Sequence, residues 1–168
     1  KMSDDVNEME KMLNEYLQFA SSTFSEKGET FNLTKLTKEI IKKYENINIT
    51  QNLDDDVYIN GRKNLIMRCF NNLIDNSIKY ANKVNIQLTK KNNSLQMNID
   101  DDGPGIPEKE FENVFKPFYK IDKSRGNSKS SVGLGLSIAS DIIRSHGGNI
   151  ILDKSPSGGL RVKIFLPL

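Results

Sequence analysis

Three short stretches carry side chains and backbone suited to holding phosphate or a hard metal ion. In the first, Arg68, Asn72, Asn76 and the Lys79-Tyr80 pair recur at one-turn spacing along an expected helix over Arg62–Ala81. Asparagine is a poor helix former, so two of them one turn apart suit side chains needed for contact, although a merely solvated face would read the same way. An amide oxygen is a hard, neutral ligand for Mg2+, and a lysine ammonium sits well against phosphate. The second stretch, Asp101-Asp102-Gly103-Pro104-Gly105-Ile106, follows an expected strand over Leu95–Ile99. It reads either as a tight acidic turn or as a buried carboxylate, Asp101, beside glycines that let backbone approach a flat ligand. The third, Gly133-Leu134-Gly135-Leu136-Ser137, opens a helix, where free N–H groups and the helix dipole make an anion site. Competing phosphate motifs fall away. Ile138 stands where a dinucleotide fingerprint needs its third glycine, and the chain contains no Gly-Lys-Ser/Thr.

The elements that must position these stretches follow from periodicity. The 168 residues, 36% apolar and 27% charged, suffice for one core with little apolar surplus. A formal charge of +2 is too small for a nucleic-acid face, and no nucleic-acid partner is expected. Cys69 is the single cysteine and His146 the single histidine, which excludes an internal disulfide framework and multi-cysteine or multi-histidine metal sites. No apolar run approaches the ~18–20 residues needed to cross a bilayer, so a soluble piece is expected. No signal-peptide pattern opens the chain, and a helix is already under way, so it reads as part of something longer. Met2, Val6, Met9, Leu13, Tyr16 and Ala20 form a heptad-like seam of about three heptads, which wants a partner helix. Ser25-Glu26-Lys27-Gly28-Glu29 reads as a linker. Phe31–Leu33 is a strand candidate and Leu36–Tyr44 a helix; Ile47–Leu53 alternates, and Val57–Ile59 is expected to pair with it across Asp54-Asp55-Asp56. Asn60-Gly61 signals a turn ahead of the long helix. Val84–Lys90 and Leu95–Ile99 form a hairpin, Glu108–Val114 one or two helical turns, and Val132–Ser145 a helix ending at Gly147-Gly148. Ile150–Leu152 and Leu160–Leu166 close the chain as a second hairpin. Lys116–Ser131, with five basic side chains and one carboxylate, lacks periodicity and reads as a functional lid. The sum is an α+β fold: a two-layer sandwich of one mostly antiparallel sheet with helices on one face.

Taken together, the motifs resemble the ATP-binding catalytic domain of bacterial sensor histidine kinases, within the gyrase, Hsp90, histidine kinase and MutL ATPase superfamily. Asn72-Leu73-Ile74-Asp75-Asn76-Ser77-Ile78-Lys79-Tyr80 resembles the N box, and Asp101-Asp102-Gly103-Pro104-Gly105-Ile106-Pro107 the first glycine box. Phe115-Lys116-Pro117-Phe118-Tyr119 resembles the F box, Gly133-Leu134-Gly135-Leu136 the second glycine box, and Ser157-Gly158-Gly159-Leu160 a looser third. Osmosensor-like kinases are nearest in style. The resemblance implies a Bergerat-type ATP-binding fold, mixed but mostly antiparallel, over 31–168, with a lid at about 116–131. It also implies a linker at 25–30, and 1–24 as the end of the second dimerisation and phosphotransfer helix.

The resemblance also implies roles. Asp101 would read the adenine amino group, with Gly103, Gly105, Ile106 and Phe115 lining the nucleotide. Asn76 would hold Mg2+, with Asn72 nearby, and Lys79 and Tyr80 would contact phosphates or ribose. Lys120 and Arg125 would meet the γ-phosphate, and Gly133, Leu134, Gly135 and Leu136 would cradle the phosphate chain. ATP and Mg2+ are the implied cofactors. Asn76, Lys79, Lys120 and Arg125 make up the catalytic inventory, since phosphoryl transfer needs mainly positioning and charge neutralisation. Two departures stand out: Ser131, where many relatives have glycine, and Lys120, where arginine is common and lysine loses the bidentate fork. Hydrolases of the superfamily carry glutamate four residues before the metal-binding asparagine. Here that position is Asn72, which cannot take a proton from water, favouring a kinase over an ATPase or a binding-only switch. The implied partners are the kinase's own dimerisation and phosphotransfer domain, with a homodimer in the full-length protein, and a cognate response regulator. The implied setting is the cytoplasmic part of an inner-membrane sensor. The acceptor histidine is absent, because His146 sits at a helix end, where a protonated ring suits the dipole, so the chain alone is not expected to phosphorylate itself.

Overall fold

The computed structural model describes residues 2–119 and 135–168, apart from the side chains of residues 2 and 22–24. The order is α1 (Met2–Ser25), β1 (Glu29–Asn32), α2 (Leu33–Lys42), β2 (Asn48–Leu53), β3 (Tyr58–Gly61), α3 (Lys63–Tyr80), β4 (Lys83–Lys91) and β5 (Ser94–Asp101). Two 3-10 turns, Glu108–Glu110 and Asn113–Phe115, precede α4 (Gly135–Ser145), β6 (Asn149–Lys154) and β7 (Leu160–Pro167). A five-stranded sheet in the order β2-β4-β5-β7-β6 is antiparallel except for the parallel β2–β4 pair. The α+β reading holds.

Alternation places Val84, Ile86 and Leu88 of β4, Leu95, Met97 and Ile99 of β5, and Val162, Ile164 and Leu166 of β7 in the buried core. α3 and α4 pack against this sheet and against each other. On α3 the buried side is Leu65, Ile66, Cys69, Phe70, Leu73, Ile74 and Ser77. Each large apolar side chain buried there contributes roughly 1.5–3 kcal/mol, against propensity differences of roughly 0.7 kcal/mol or less per ordinary residue. Packing therefore holds a helix that carries Asn64, Asn71, Asn72 and Asn76.

The expected β2–β3 pairing does not form. β3 instead pairs antiparallel with β1 in a separate ribbon, which also takes the Asn60-Gly61 expected turn into a strand opposite Thr30 and Glu29. The cause is the acidic turn. Asp54 N–H donates to the Leu88 carbonyl at 2.9 Å and its Oδ2 accepts from Lys90 N–H at 2.8 Å, which extends the β2–β4 ladder. Asp56 then turns at φ +51, and Thr34 Oγ donates to the Asp54 carbonyl at 2.7 Å and accepts from Val57 N–H at 3.1 Å. These bonds draw the chain off the sheet toward α2, and α3 becomes the crossover that a parallel β2–β4 pair requires.

α1 lies on α3. Met12 is buried in the common core, Phe19 packs against it, and Arg68 Nη2 donates to the Glu15 carbonyl at 3.1 Å. The heptad-like seam faces away, with Val6, Met9, Leu13 and Tyr16 between 53% and 62% exposed. Beyond α1, the linker carries a specific contact. Arg62, the N-cap of α3, makes no side-chain cap bond, and Glu26 supplies one instead: Asn64 N–H donates to Oε2 at 2.8 Å and Leu65 N–H to Oε1 at 3.1 Å. A carboxylate on the first-turn N–H groups also suits the positive end of the helix dipole. Glu26→Ala is expected to lower folding stability by about 0.5–2 kcal/mol, the range for loss of a helix cap, measured by urea unfolding followed by circular dichroism.

Candidate functional site

α3 delivers its polar stripe alongside the buried face. Asn72, Asn76 and Lys79 are half-buried, and Tyr80 on the last turn is 50% exposed. Among the described residues, neither the Asn72 nor the Asn76 amide has a hydrogen-bond partner, as side chains available to a ligand must be. The Lys79 ammonium lies 5.8 Å from the centre of the Tyr80 ring.

Asp102, which sequence reasoning passed over, fastens the glycine-rich turn to the end of α3. Its Oδ1 accepts from Asn82 N–H at 2.8 Å and Lys83 N–H at 2.9 Å, and its own N–H donates to the Lys83 carbonyl at 3.2 Å. The Lys83 and Asn82 N–H groups, with the Lys83 ammonium, hold this carboxyl below the usual carboxylate range. Gly103 runs so close to α3 that a Cβ there would sit 2.8 Å from the Tyr80 carbonyl oxygen, and Gly105 adopts φ +73.

Asp101 closes β5 and is 6% exposed. Oδ1 accepts from Gly103 N–H at 3.0 Å and Leu160 N–H at 3.1 Å, and the Asp101 carbonyl accepts from Gly159 N–H at 3.2 Å. Among the described residues Oδ2 is left without a partner. Burial pushes the carboxyl up, the two N–H donors pull it down, and Asp102 and Asp100 push it up again. Gly159 explains the looser third glycine motif, for a Cβ there would fall 2.2 Å from Asp101 Oδ1 and 2.7 Å from Gly103 N. Only glycine lets the β6–β7 turn close over this carboxylate.

α4 completes the arrangement. It packs on α3, where the Cys69 thiol donates to the Ala139 carbonyl at 3.7 Å, and against the 3-10 turn bearing Val114 and Phe115. Ile106, Phe115 and Leu136 are half-buried against the core. Among the described residues, a Cβ at Gly135 would meet nothing within 4 Å. Lys120, Arg125, Gly133 and Leu134, and most of the expected lid, lie outside the described residues.

Residues 61–168 match the family described as histidine kinase-, DNA gyrase B- and HSP90-like ATPase. The chain is similar to the sensor histidine kinase GtrS of Pseudomonas aeruginosa, 34% identical over 99% of this chain and 35% of that one. It is also similar to the sensor histidine kinase WalK of Bacillus subtilis, 30% identical over 98% of this chain and 29% of that one. The chain thus spans about a third of the length of these relatives. Among solved structures, the nucleotide-free catalytic domain of the histidine kinase ThkA superposes with a TM-score of 0.73 at 26% identity, covering 84% of this chain and 97% of that one.

The single histidine is engaged in the fold. His146 Nδ1 donates to the Ile142 carbonyl at 2.7 Å, and Nε2 accepts from Arg62 N–H at 3.0 Å, a pattern that only the neutral ring satisfies. Burial pushes its pKa below 6.5, which overturns the expectation of a protonated ring suited to the helix dipole. The ring bridges the start of α3 to the end of α4, and Gly61 makes room for it: a Cβ there would lie 2.8 Å from His146 Cδ2. Because folding favours the neutral ring, its contribution is complete above the unfolded value near 6.5 and is lost as pH falls below it toward the depressed folded value. Urea midpoints measured from pH 7.5 to 5 are expected to fall more steeply for the native chain than for His146→Gln.

Proposed function

Because this chain belongs to the histidine kinase-, DNA gyrase B- and HSP90-like ATPase family, we propose that it is the ATP-binding catalytic part of a two-component sensor histidine kinase. It passes the γ-phosphoryl group of ATP to a histidine that this chain does not contain. The observation that carries the reading is the amide pair on α3. Among the described residues the Asn76 amide oxygen has no partner, and Asn72, one turn before it, is an amide where a hydrolase of the superfamily needs a base.

The residues suit both cofactors. No cluster of three His, Cys, Asp or Glu side chains that could cage a metal occurs among the described residues. Mg2+ needs no such cage, being content with one hard protein oxygen, phosphates and waters, and Asn76 offers that oxygen. When bound, ATP supplies the phosphoryl group and Mg2+ neutralises its β- and γ-oxygens. Asp101 Oδ2 accepts from the adenine amino group, which the charged acceptor distinguishes from the guanine carbonyl. Gly103, Gly105, Ile106 and Phe115 flank the base, and Lys79 and Tyr80 meet the phosphates or ribose. Lys120 and Arg125 bring positive charge to the γ-phosphate, and N–H groups from Gly133 to Leu136 hold the phosphate chain at the start of α4. Nothing in this set deprotonates water, so the nucleotide is kept for its acceptor.

The partners in this reading are a dimerisation domain bearing the acceptor histidine, joined through the α1 seam in a homodimer, and a response regulator. The histidine kinase ThkA, solved in complex with the response regulator protein TrrA, shares this fold at 24% identity, with a TM-score of 0.76 over 98% of this chain. No helix among the described residues is long and apolar enough to cross a membrane. The proposed kinase role, and not that absence, is what puts this domain on the cytoplasmic side of an inner-membrane sensor.

Radiolabelled ATP incubated with this chain and a separately supplied histidine-bearing dimerisation domain is expected to leave acid-labile label on that domain alone. Transfer should be slow, because the effective concentration of a tethered acceptor is lost. Steady phosphate release without transfer, or label on this chain removed by His146→Gln, would overturn the reading. Asn76→Ala is expected to weaken ATP binding about tenfold or more with Mg2+, and far less in EDTA, as read by calorimetry.

A further inference from the structure

Behind Asp101, on the opposite side of β5, lies an ion pair that the proposed chemistry does not use. Arg161 grips Asp100 with both arms of its guanidinium, Nε to Oδ1 at 2.6 Å and Nη2 to Oδ2 at 2.8 Å. The Asp100 side chain is 4% exposed and that of Arg161 22%. The pair coincides with the last rung of the β5–β7 ladder, Asp100 opposite Arg161. Beyond that rung the strands are joined by Asp101 itself, through Leu160 N–H on its Oδ1 and Gly159 N–H on its carbonyl. The buried fork therefore fixes the residue before Asp101 and the residue after Leu160, whose N–H holds Oδ1.

We infer that Arg161 is a positioning residue for base recognition: by clamping Asp100 it keeps Leu160 N–H on Asp101 Oδ1 and leaves Oδ2 to the exocyclic amino group of adenine. The inference rests on the proposed role of Asp101. Charge supports it as well as geometry. Asp100, Asp101 and Asp102 are consecutive carboxylates; Asp102 is held by the N–H groups of Asn82 and Lys83, whereas Asp100 has Arg161. Without Arg161 the buried Asp100 would be unneutralised, adding to the repulsion that Asp101 already meets from Asp100 and Asp102. A lysine would keep the charge but not the fork that fixes the rung.

The test compares ATP with purine riboside triphosphate, which lacks the 6-amino group, by equilibrium binding to the whole chain. The native chain is expected to prefer ATP by about tenfold or more, the range for a hydrogen bond to a charged acceptor. Arg161→Leu should cut that preference about threefold or more while leaving the affinity for purine riboside triphosphate within about twofold, and Arg161→Lys should fall between. Lys163→Met removes the 2.9 Å ion pair to Asp153 two residues further along β7 and should leave the preference intact. Should Arg161→Leu fail to fold, Arg161→Lys carries the comparison. Full preference in the Arg161 variants, or equal loss of both ligands, would overturn the inference and leave the Asp101 reading standing. A native chain with no preference for the amino group would overturn both.

Discussion

The site depends on holding one carboxylate in a buried position at the end of β5. Taking an isolated carboxylate out of water is so unfavourable that the group would normally stay protonated. At Asp101 two backbone N–H groups, from Gly103 and Leu160, converge on Oδ1 and offset part of that penalty, with burial still holding the carboxyl above its usual range. That convergence constrains much else. The start of β7 must lie beside the end of β5, which the β4-β5-β7 order provides. The turn before β7 must carry no side chain at 159, and the turn after β5 none at 103.

The same logic governs α3, which is a core helix on one side and, in the proposed function, a ligand-bearing one on the other. Its apolar side supplies the energy, and its polar side carries amides that weaken a helix. Both ends are fastened by carboxylates from elsewhere, Glu26 on the first-turn N–H groups and Asp102 on the two residues that follow the C-cap. His146 adds a third attachment, through a ring that must stay neutral. The amides of Asn72 and Asn76 are thus carried on a helix fixed at both ends, which is the preorganisation that positioning chemistry requires.

Much of this was legible in the residues themselves. Period 3.6 located α3 and α4, and period 2 located β4, β5 and β7, because each buries one side only. The glycine spacings marked the two main turns. What periodicity cannot report is which partner a short strand takes: Val57–Ile59 alternates equally well for β1 or β2, and bonds from Thr34 and Asp54 decide the matter. Tethers between distant positions were also hidden. Glu26 caps a helix 38 residues away and Arg161 grips an aspartate 61 residues away, and neither residue differs in type from an ordinary surface charge. Asp102 was hidden because acidic residues before glycine are common in any turn. The neutral state of His146 depends on an N–H from Arg62, which no helix-end argument supplies.

The one thiol, Cys69, lies fully buried between α3 and α4, and burial alone drives its pKa far upward, so no thiolate forms under ordinary conditions. The chain is therefore already a clean background for single-site labelling. A cysteine placed at any exposed position, on the α1 seam or beside the start of α4, would be the one group to take a maleimide dye or nitroxide. With one cysteine introduced on α1 and a second beside the start of α4, the distance between them could be followed by fluorescence transfer or electron spin resonance with Cys69 left as it is.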